Sequence, residues 1–159
     1  MIFFRALIAF FVLPGIFGII LPPLFAALDP WRIGPIWQGG ILMVVGLVLL
    51  IWCVRDFYAV GKGTLAPWDP PQNLVVVGMY RYMRNPMYVG VITLVGGWAV
   101  AYGSPLLALY AAALAVGFHV RVVVREEPWL RLHFGDDWAH YCANVDRWVP
   151  RLKPWRGGF

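Results

Sequence analysis

Residues 87–124 read MYVGVITLVGGWAVAYGSPLLALYAAALAVGFHVRVVV, and this stretch decides the fold. It contains two apolar runs, 87–102 and 105–124, which are separated only by Gly103 and Ser104. An apolar helix of roughly 20 residues is long enough to cross the hydrocarbon core of a bilayer. Because the connection is so short, we expect the two runs to form a tight antiparallel hairpin of membrane helices.

Two further apolar runs precede this hairpin, at residues 2–21 and 36–52. The chain of 159 residues is 61% hydrophobic and 13% charged, whereas soluble domains are about 45–50% apolar and about 25% charged. We therefore expect an all-α integral membrane protein with about four transmembrane helices, organised as one domain over residues 1–159. The first run exceeds the roughly 7–15 residues of a signal-peptide core, so we expect it to remain as a span.

The positions of Lys and Arg predict the orientation of these helices. The turn at 103–104 has none, whereas the loop at 55–85 and the tail at 125–159 hold most of them. Because positively charged loops stay on the cytoplasmic side, both termini and the long loop are expected there, in a bacterial inner membrane. Basic residues beside apolar spans are suited to anionic membrane lipids, so nucleic acid is not expected as a partner.

Two polar clusters lie at the predicted cytoplasmic ends of the hairpin. Residues 80–90 read YRYMRNPMYVG, and residues 121–127 read RVVVREE. Charged and hydrogen-bonding groups at the mouth of an apolar span are costly unless they have partners, and a polar ligand is one such partner. Because both clusters share the cytoplasmic face, we predict one ligand site that uses side chains from both.

The sequences of the long loop and of the tail both predict regular structure. In the loop, the β-branched run at 74–77 predicts either a strand-like piece or a segment in the membrane interface. In the tail, Asp136 is expected to cap a helix after Gly135. An apolar stripe at spacings of three and four predicts a cytoplasmic amphipathic helix that lies on the membrane or covers the site as a lid. The stripe consists of Leu130, Phe134, Trp138, Tyr141, Val145 and Trp148.

The charged residues of both clusters also have structural interpretations. Arg81 and Arg84 are suited to anchor the chain at a positively charged cytoplasmic face. Glu126 and Glu127 could be a solvated pair at the end of the fourth span, although the helix dipole disfavours anions at a helix C-terminus.

Other polar and small residues are expected to serve packing. His119 lies inside the fourth span and is expected to be a hydrogen-bonded packing residue rather than a catalytic one. Cys53 and Cys142 are expected to be unpaired thiols, and the sequence has no metal-site pattern. Gly96 and Gly97 are expected to allow close contact between helices.

The first polar cluster belongs to a longer motif. Residues 78–90, GMYRYMRNPMYVG, resemble the Gly-x-Tyr-x-x-x-Arg-His-Pro-x-Tyr-x-Gly signature of the isoprenylcysteine carboxyl methyltransferase superfamily. Upstream, the resemblance continues in Asp69-Pro70-Pro71 and Leu74-Val75-Val76; downstream, it continues in Glu126-Glu127, Phe134-Gly135, Tyr141 and the run VPRL at 149–152. It covers about residues 61–154, with all parts in the order that the family has.

This resemblance implies methyl transfer from S-adenosyl-L-methionine, which enters from the cytoplasm, to a lipophilic acceptor that arrives from the bilayer. The namesake reaction is O-methylation of a protein's C-terminal S-isoprenylcysteine carboxyl. Arg121 is the implied acceptor-side arginine, with Arg125 as the alternative. The implied cofactor-binding residues are Gln72, Asn73, Leu74, Val75, Tyr80, Asn85, Pro86, Met87, Tyr88, Glu126 and Glu127. Asn85 replaces the family's histidine, and an asparagine cannot act as a base near neutral pH.

The residue types suit this cofactor, but other functions stay open. A carboxylate suits its ammonium group, an arginine suits its carboxylate, and a tyrosine ring attracts a sulfonium. A phospholipid N-methyltransferase would use the same cofactor, a sterol-type reductase would use NADPH, and a membrane subunit would use neither. An amine or thiol acceptor must lose a proton, whereas a carboxylate acceptor needs no general base.

Overall fold

The regular secondary structure of the described part of the chain is helical. The computed structural model of the protein describes residues 11–61 and 71–157, and within these ranges it has no β-strand. The first helical segment is π-helical over Phe11–Ile20 and continues as helix α1 over Leu21–Leu28. It therefore ends beyond the predicted limit at residue 21, and residues 2–10 of the predicted span lie outside the described residues.

Three helices follow that match the remaining apolar runs. Helix α2 spans Gln38–Asp56 and continues in π-helical turns over Phe57–Gly61. Helix α3 spans Pro86–Tyr102, and helix α4 spans Pro105–Arg121. The helical character of all three runs is thus confirmed, with the end of α2 later than predicted.

The connection between α3 and α4 is the predicted two-residue turn. Gly103 ends α3 with a φ of 54°, which a residue without a side chain adopts at little cost. Pro105 occupies the first turn of α4, where its missing N–H is not needed. The Ser104 hydroxyl accepts a hydrogen bond from the backbone N–H of Leu107 at 3.2 Å. The turn therefore supplies a hydrogen-bond acceptor for a backbone N–H group in the first turn of α4.

Helices α2 and α3 pack at glycines, in an antiparallel pair. A Cβ on Gly39 would lie 2.5 Å from the carbonyl oxygen of Gly97, and one on Gly46 would lie 2.8 Å from that of Gly90. Backbones this close leave no room for any side chain. The expected close contact is thus present at Gly97, whereas the same expectation for Gly96 is wrong, because Gly96 faces open space.

Among the described residues, two helical stretches are long and apolar enough to cross a membrane, Gln38–Gly61 and Pro105–Asn144. Only 22% and 17% of their most apolar windows are buried within the chain. The core helix of a soluble protein would be mostly buried, so these outward-facing apolar surfaces are consistent with a membrane helical protein. Two shorter apolar helices, Gly15–Leu28 and Pro86–Tyr102, stand beside them.

The chain beyond α4 turns into the tail without a break in helical structure. It passes through π-helical turns at Val122–Glu126 into helix α5, Glu127–Asn144. Gly135 kinks this helix with a φ of 48° and a ψ of −118°. These angles are not helical, so α5 consists of two helical pieces that meet at Gly135. The expectation that a helix starts after Gly135 is therefore confirmed, whereas its capping by Asp136 stays a prediction.

The tail packs onto the long loop. The run at 74–77 forms no strand; Val75 packs beside Cys53 and Tyr80, and Val76 packs against α5. The stripe residues Trp138, Tyr141 and Val145 are buried in that same contact, with Leu130 and Phe134 beside them. Trp148 departs from the stripe, because α5 ends at Asn144. The apolar face of α5 thus covers protein.

Candidate active site

The polar ends of α3 and α4 border a cavity of about 380 Å³. The end of α2, the loop at 71–85 and helix α5 supply its other walls. Sites for cofactors and small substrates usually measure about 300–1,000 Å³. The polar and charged lining residues are Arg84, Asn85, Arg121, Arg125, Glu126 and Glu127. The remaining lining residues are Phe57, Pro71, Leu74, Val75, Tyr80, Met87, Tyr88, Val122, Trp129, Leu130, Trp138 and Tyr141.

Tyr88, Arg121 and Glu126 form one hydrogen-bonded group in the cavity wall. The Tyr88 hydroxyl donates to Oε1 of Glu126, and Nε of Arg121 donates to the same oxygen at 2.7 Å. Nε of Arg121 also donates to the Tyr88 hydroxyl oxygen at 3.1 Å. The Arg121 and Glu126 side chains are 40% and 28% exposed. The group therefore joins α3 to the end of α4 and still leaves both charges accessible.

Glu127 is held by two arginines that are distant in sequence. Arg147 donates from Nε to Oε1 at 2.7 Å and from Nη2 to Oε2 at 2.8 Å, which is a two-pronged ion pair. Nη1 of Arg84 lies 3.2 Å from Oε1 of the same carboxylate. The hydrogen bonds to Glu127 raise the pKa of Arg147, because they stabilise its charged form. Glu127 thereby joins the α3 motif to the segment that follows α5.

Two buried polar atoms of the cavity residues have no hydrogen-bond partner: Nε of Arg84 and the hydroxyl of Tyr80. The Arg84 guanidinium also lies over the Trp138 ring, 5.4 Å from its centroid, and Nη1 donates to the Cys142 sulfur. Native proteins leave few buried polar groups unpaired, so each one calls for an explanation. Both residues border the cavity, so these unpaired atoms belong to its wall.

The segment that follows α5 is fastened to the motif by hydrogen bonds. The backbone N–H of Arg84 donates to the carbonyl of Asp146 at 2.9 Å, and the Asn85 side-chain amide donates to the carbonyl of Arg147 at 3.3 Å. The Tyr141 hydroxyl donates to the carbonyl of Tyr80. These contacts favour the lid interpretation of the tail over a free surface helix. Asn85 thus has a structural bond at the position where the family has histidine.

A second contact joins α4 to the tail beside the cavity. The indole N–H of Trp148 donates to Nδ1 of His119 at 3.1 Å. The centroid of the Tyr88 ring lies 4.5 Å from that of Phe118 in α4 and 6.5 Å from that of Trp148. His119 is therefore hydrogen-bonded, as predicted, although its side chain is exposed.

The structure brings most of the predicted site residues to this cavity. Those that line it are Leu74, Val75, Tyr80, Asn85, Met87, Tyr88, Arg121, Arg125, Glu126 and Glu127. Gln72, Asn73 and Pro86 do not line it. The backbone N–H groups of Gln72 and Asn73 bond to the carbonyl of Gly61, and the Asn73 side chain bonds to the carbonyl of Val60. Pro86 is buried in the first turn of α3.

Several residues at or beside the cavity were not predicted from the sequence as site residues. Arg147 gave no local signal, because its partner Glu127 stands 20 positions away. Trp138 appeared only as a member of an apolar stripe, Tyr141 appeared in that stripe and in the family resemblance without a role in the site, and Arg84 had a membrane anchor as its alternative. Phe57, at the end of α2, is one apolar residue among many. Both cysteines are free, as predicted. No group of metal-binding side chains occurs within the described ranges.

Comparison with known proteins places this geometry in a family. A family described as phospholipid methyltransferase matches residues 35–137. Protein-S-isoprenylcysteine O-methyltransferase A of Arabidopsis thaliana is 28% identical over 116 residues, which cover 70% of this chain and 57% of the relative. Form B of the same plant is 31% identical over 78 residues, 49% of this chain and 40% of the relative. No solved structure matches the chain.

A fission-yeast relative extends the same pattern. Protein-S-isoprenylcysteine O-methyltransferase of Schizosaccharomyces pombe is 29% identical over 79 residues, 50% of this chain and 34% of the relative. The matched parts thus span between about one third and three fifths of these relatives. The resemblance predicted from the motif at 78–90 is confirmed, and the matched range includes both polar clusters. Since it also includes more than half of the residues, the chain belongs to the phospholipid methyltransferase family.

Proposed function

We propose that this protein transfers a methyl group from S-adenosyl-L-methionine to a carboxylate on a lipophilic, membrane-embedded acceptor. One observation carries the proposal: a single cavity, in a member of a methyltransferase family, gathers charged residues from both polar clusters. The relatives are named for the O-methylation of protein S-isoprenylcysteine. That name supports an isoprenylated cysteine carboxyl as the acceptor class.

The chemistry of the cavity fits this cofactor. The unpaired Nε of Arg84 suits its carboxylate, and the unpaired hydroxyl of Tyr80 suits a ribose hydroxyl or an adenine nitrogen. Glu126 suits the ammonium group, because its carboxylate remains partly exposed beside Arg121. The aromatic walls at Phe57 and Trp138 suit adenine. When bound, the cofactor supplies a methyl group that its positively charged sulfur activates.

The charges of the lining favour an anionic acceptor. Three arginines and two glutamates border the cavity, so its lining carries net positive charge. Arg125 borders the cavity and is exposed. A carboxylate would be attracted to such a mouth, whereas the ammonium of an amine acceptor would be repelled. No histidine is among the described residues that line the cavity. A carboxylate acceptor needs no base.

Catalysis by these residues then consists of binding, alignment and exclusion of water. Glu126 and Tyr88 are fixed by Arg121, and α5 covers the cavity with Trp138 and Tyr141. Holding two reactants in line within a closed pocket lowers a barrier by up to about 7–11 kcal/mol. The acceptor-side arginine in this proposal is Arg121, with Arg125 as the alternative.

The proposal includes the topology. Four transmembrane helices would bring the cavity to the cytoplasmic face, with both termini and α5 on that side and residues 1–159 acting as one domain. Its support is the excess of Lys and Arg at that end and the outward apolar surface of α2 and α4.

Calorimetric titration of the detergent-purified protein tests the cofactor. Saturable binding of S-adenosyl-L-methionine, without binding of NADPH, is the expected result. Glu126→Gln should weaken that binding, while Asp137→Asn, an exposed carboxylate on α5, serves as the matched control. Binding of NADPH alone would point to a reductase. Binding of neither would leave a membrane subunit as the better interpretation.

The nature of the methylated group tests the acceptor. Protein in nanodiscs would receive methyl-labelled cofactor with either a farnesylated cysteine peptide or phosphatidylethanolamine. A methyl ester releases volatile methanol in mild alkali, whereas an N-methyl group does not. Alkali-labile label on the peptide is expected. Alkali-stable label in the phospholipid would contradict the carboxylate proposal and favour phospholipid N-methylation, the alternative that the family's description supports.

A further inference from the structure

The last described segment of the chain presents a surface that the cavity does not use. Residues 149–156 read VPRLKPWR, with three cations and no acidic residue. Leu152 is 101% exposed and Val149 is 66% exposed. The side chains of Arg151, Lys153 and Arg156 are exposed as well. Apolar and basic side chains thus stand together on one short segment.

This segment is held at the ends of the apolar helices. Trp148, just before it, bonds to His119 in the last turns of α4. The backbone N–H of Arg151 donates to the carbonyl of Tyr82 at 3.0 Å, and that of Trp155 donates to the carbonyl of Arg81 at 2.9 Å. Both acceptors shortly precede the start of α3. The segment therefore lies where the apolar helices meet the polar part of the molecule.

We propose that residues 149–156 form a patch that binds the surface of a membrane containing anionic phospholipid. Leu152 and Val149 enter the acyl region, and Arg151, Lys153 and Arg156 meet the lipid phosphates. Exposed cations next to exposed apolar groups match the two layers of such a surface. The inference rests on the proposed membrane topology, but it does not depend on methyl transfer.

The contact would also bear on the cavity. The segment is bonded to Arg81 and Tyr82, and the same loop carries Tyr80, Arg84 and Asn85 of the cavity wall. Membrane binding by the patch therefore holds this wall in place. Anionic lipid bound to the patch should thus influence the cavity indirectly, through the tail.

An environment-sensitive fluorophore on Leu152→Cys tests the patch. The protein used for labelling also has Cys142→Ala, so that the partly exposed Cys142 is not labelled. Cys53 is kept, because it is fully buried. The labelled protein is placed in nanodiscs of phosphatidylcholine alone or mixed with phosphatidylglycerol. The matched control is Leu132→Cys, which is 84% exposed on α5 and lies outside the patch. The Cys142→Ala protein without an introduced cysteine, treated with the same fluorophore, gives the background signal.

The expected result is a blue-shifted emission at position 152, increased by phosphatidylglycerol, with no such change at position 132. High salt of about 1 M, where charges are screened beyond about 3 Å, should remove the phosphatidylglycerol-dependent part. Combined Arg151→Gln, Lys153→Gln and Arg156→Gln should remove it too. Equal emission in both lipids would overturn the proposal. So would a shift that follows protein concentration in detergent, which would identify a second copy of the chain as the occupant.

Discussion

The two ends of the α3–α4 hairpin both hold charged groups, but only one end leaves them available. At the turn, Asp29 and Ser104 are each 3% exposed. Asp29 accepts hydrogen bonds from the Ser104 hydroxyl and from the backbone N–H groups of Leu106 at 3.1 Å and Trp31 at 2.9 Å. At the cavity, Glu126 is partly exposed, and Arg84 and Tyr80 keep buried atoms without partners.

The difference separates a structural network from a binding site. A buried polar network whose members are all paired fixes a conformation, because no member gains from another ligand. The turn end fits that description, since its carboxylate binds the start of α4, where the helix dipole favours an anion. Buried groups without partners at the cavity end are costly for the empty fold. In the proposed function, pairing with a ligand would offset this cost.

Gly39→Ala should have the largest effect, through the packing that leads to the turn end. The added Cβ would lie 2.2 Å from the backbone nitrogen of Ala101, and backbone cannot move aside as a flexible side chain can. Overpacking of this kind costs about 1–3 kcal/mol or more. Thermal unfolding in detergent should show a large loss of stability. Gly40→Ala, which meets nothing within 4 Å, is the control. Equal melting of both variants would contradict the packing argument.

Glu127→Gln should open the cavity end without unfolding the hairpin. It removes the charge that holds both Arg84 and Arg147, and hydrogen bonds to charged groups contribute about 1.5–3 kcal/mol each. Trypsin should then cleave the chain after α5 faster, and cofactor affinity should fall by at least tenfold. Asp137→Asn is the control on the same helix. Unchanged proteolysis would show that Glu127 does not fasten the tail.

Tyr88→Phe should weaken cofactor binding by roughly fivefold, the equivalent of about 1 kcal/mol for one hydrogen bond. The change removes the hydroxyl that joins Arg121 to Glu126 and keeps the ring against Phe118. Tyr110→Phe is the control, because that hydroxyl donates to the carbonyl of Phe17, away from the cavity. Calorimetry should separate the two variants, and equal affinities would remove Tyr88 from the site.

Asp29 should give the smallest effect, a pH dependence of stability. The hydrogen bond from Ser104 is the main reason that the pKa of Asp29 lies below its ordinary value of 3.8. A carboxyl whose folded-state pKa is lowered stabilises the fold above its unfolded pKa, and this contribution is lost as the pH falls through the folded value. Melting curves should therefore drop below about pH 4, less so in Asp29→Asn. Parallel pH profiles would contradict this role.

Prediction from sequence succeeded where the signal is local. The apolar runs gave α2, α3 and α4, and the pair Gly103-Ser104 gave the turn, because hydrophobic period and turn chemistry act within a few residues. For the run at 74–77 the strand alternative was wrong, since β-branched residues form a strand only if a neighbouring strand is available. Gly135 was informative, since its non-helical backbone separates the two pieces of α5 and the second piece starts after it, as expected.

The candidate site was predictable only as two clusters of residue types. The motif at 78–90 and the pair Glu126-Glu127 carried the family resemblance, and ten of the predicted side chains border the cavity. Their pairing was not predictable. Glu127 could have paired with any of several arginines, and its partner Arg147 is 20 positions away. Gln72 and Asn73 belong to the motif's neighbourhood but bond to backbone at Val60 and Gly61.

The sequence by itself determined the helical membrane character, the hairpin and the methyltransferase family, because composition, hydrophobic period and a contiguous motif are properties of neighbouring residues. The tertiary structure alone decided that the stripe of α5 covers the cavity, that Arg84 and Tyr80 keep unpaired atoms, and that Arg147 reaches Glu127. These features depend on which surfaces meet after the chain folds back on itself. Burial and pairing across such distances are set by packing of the whole chain, and no local pattern records them.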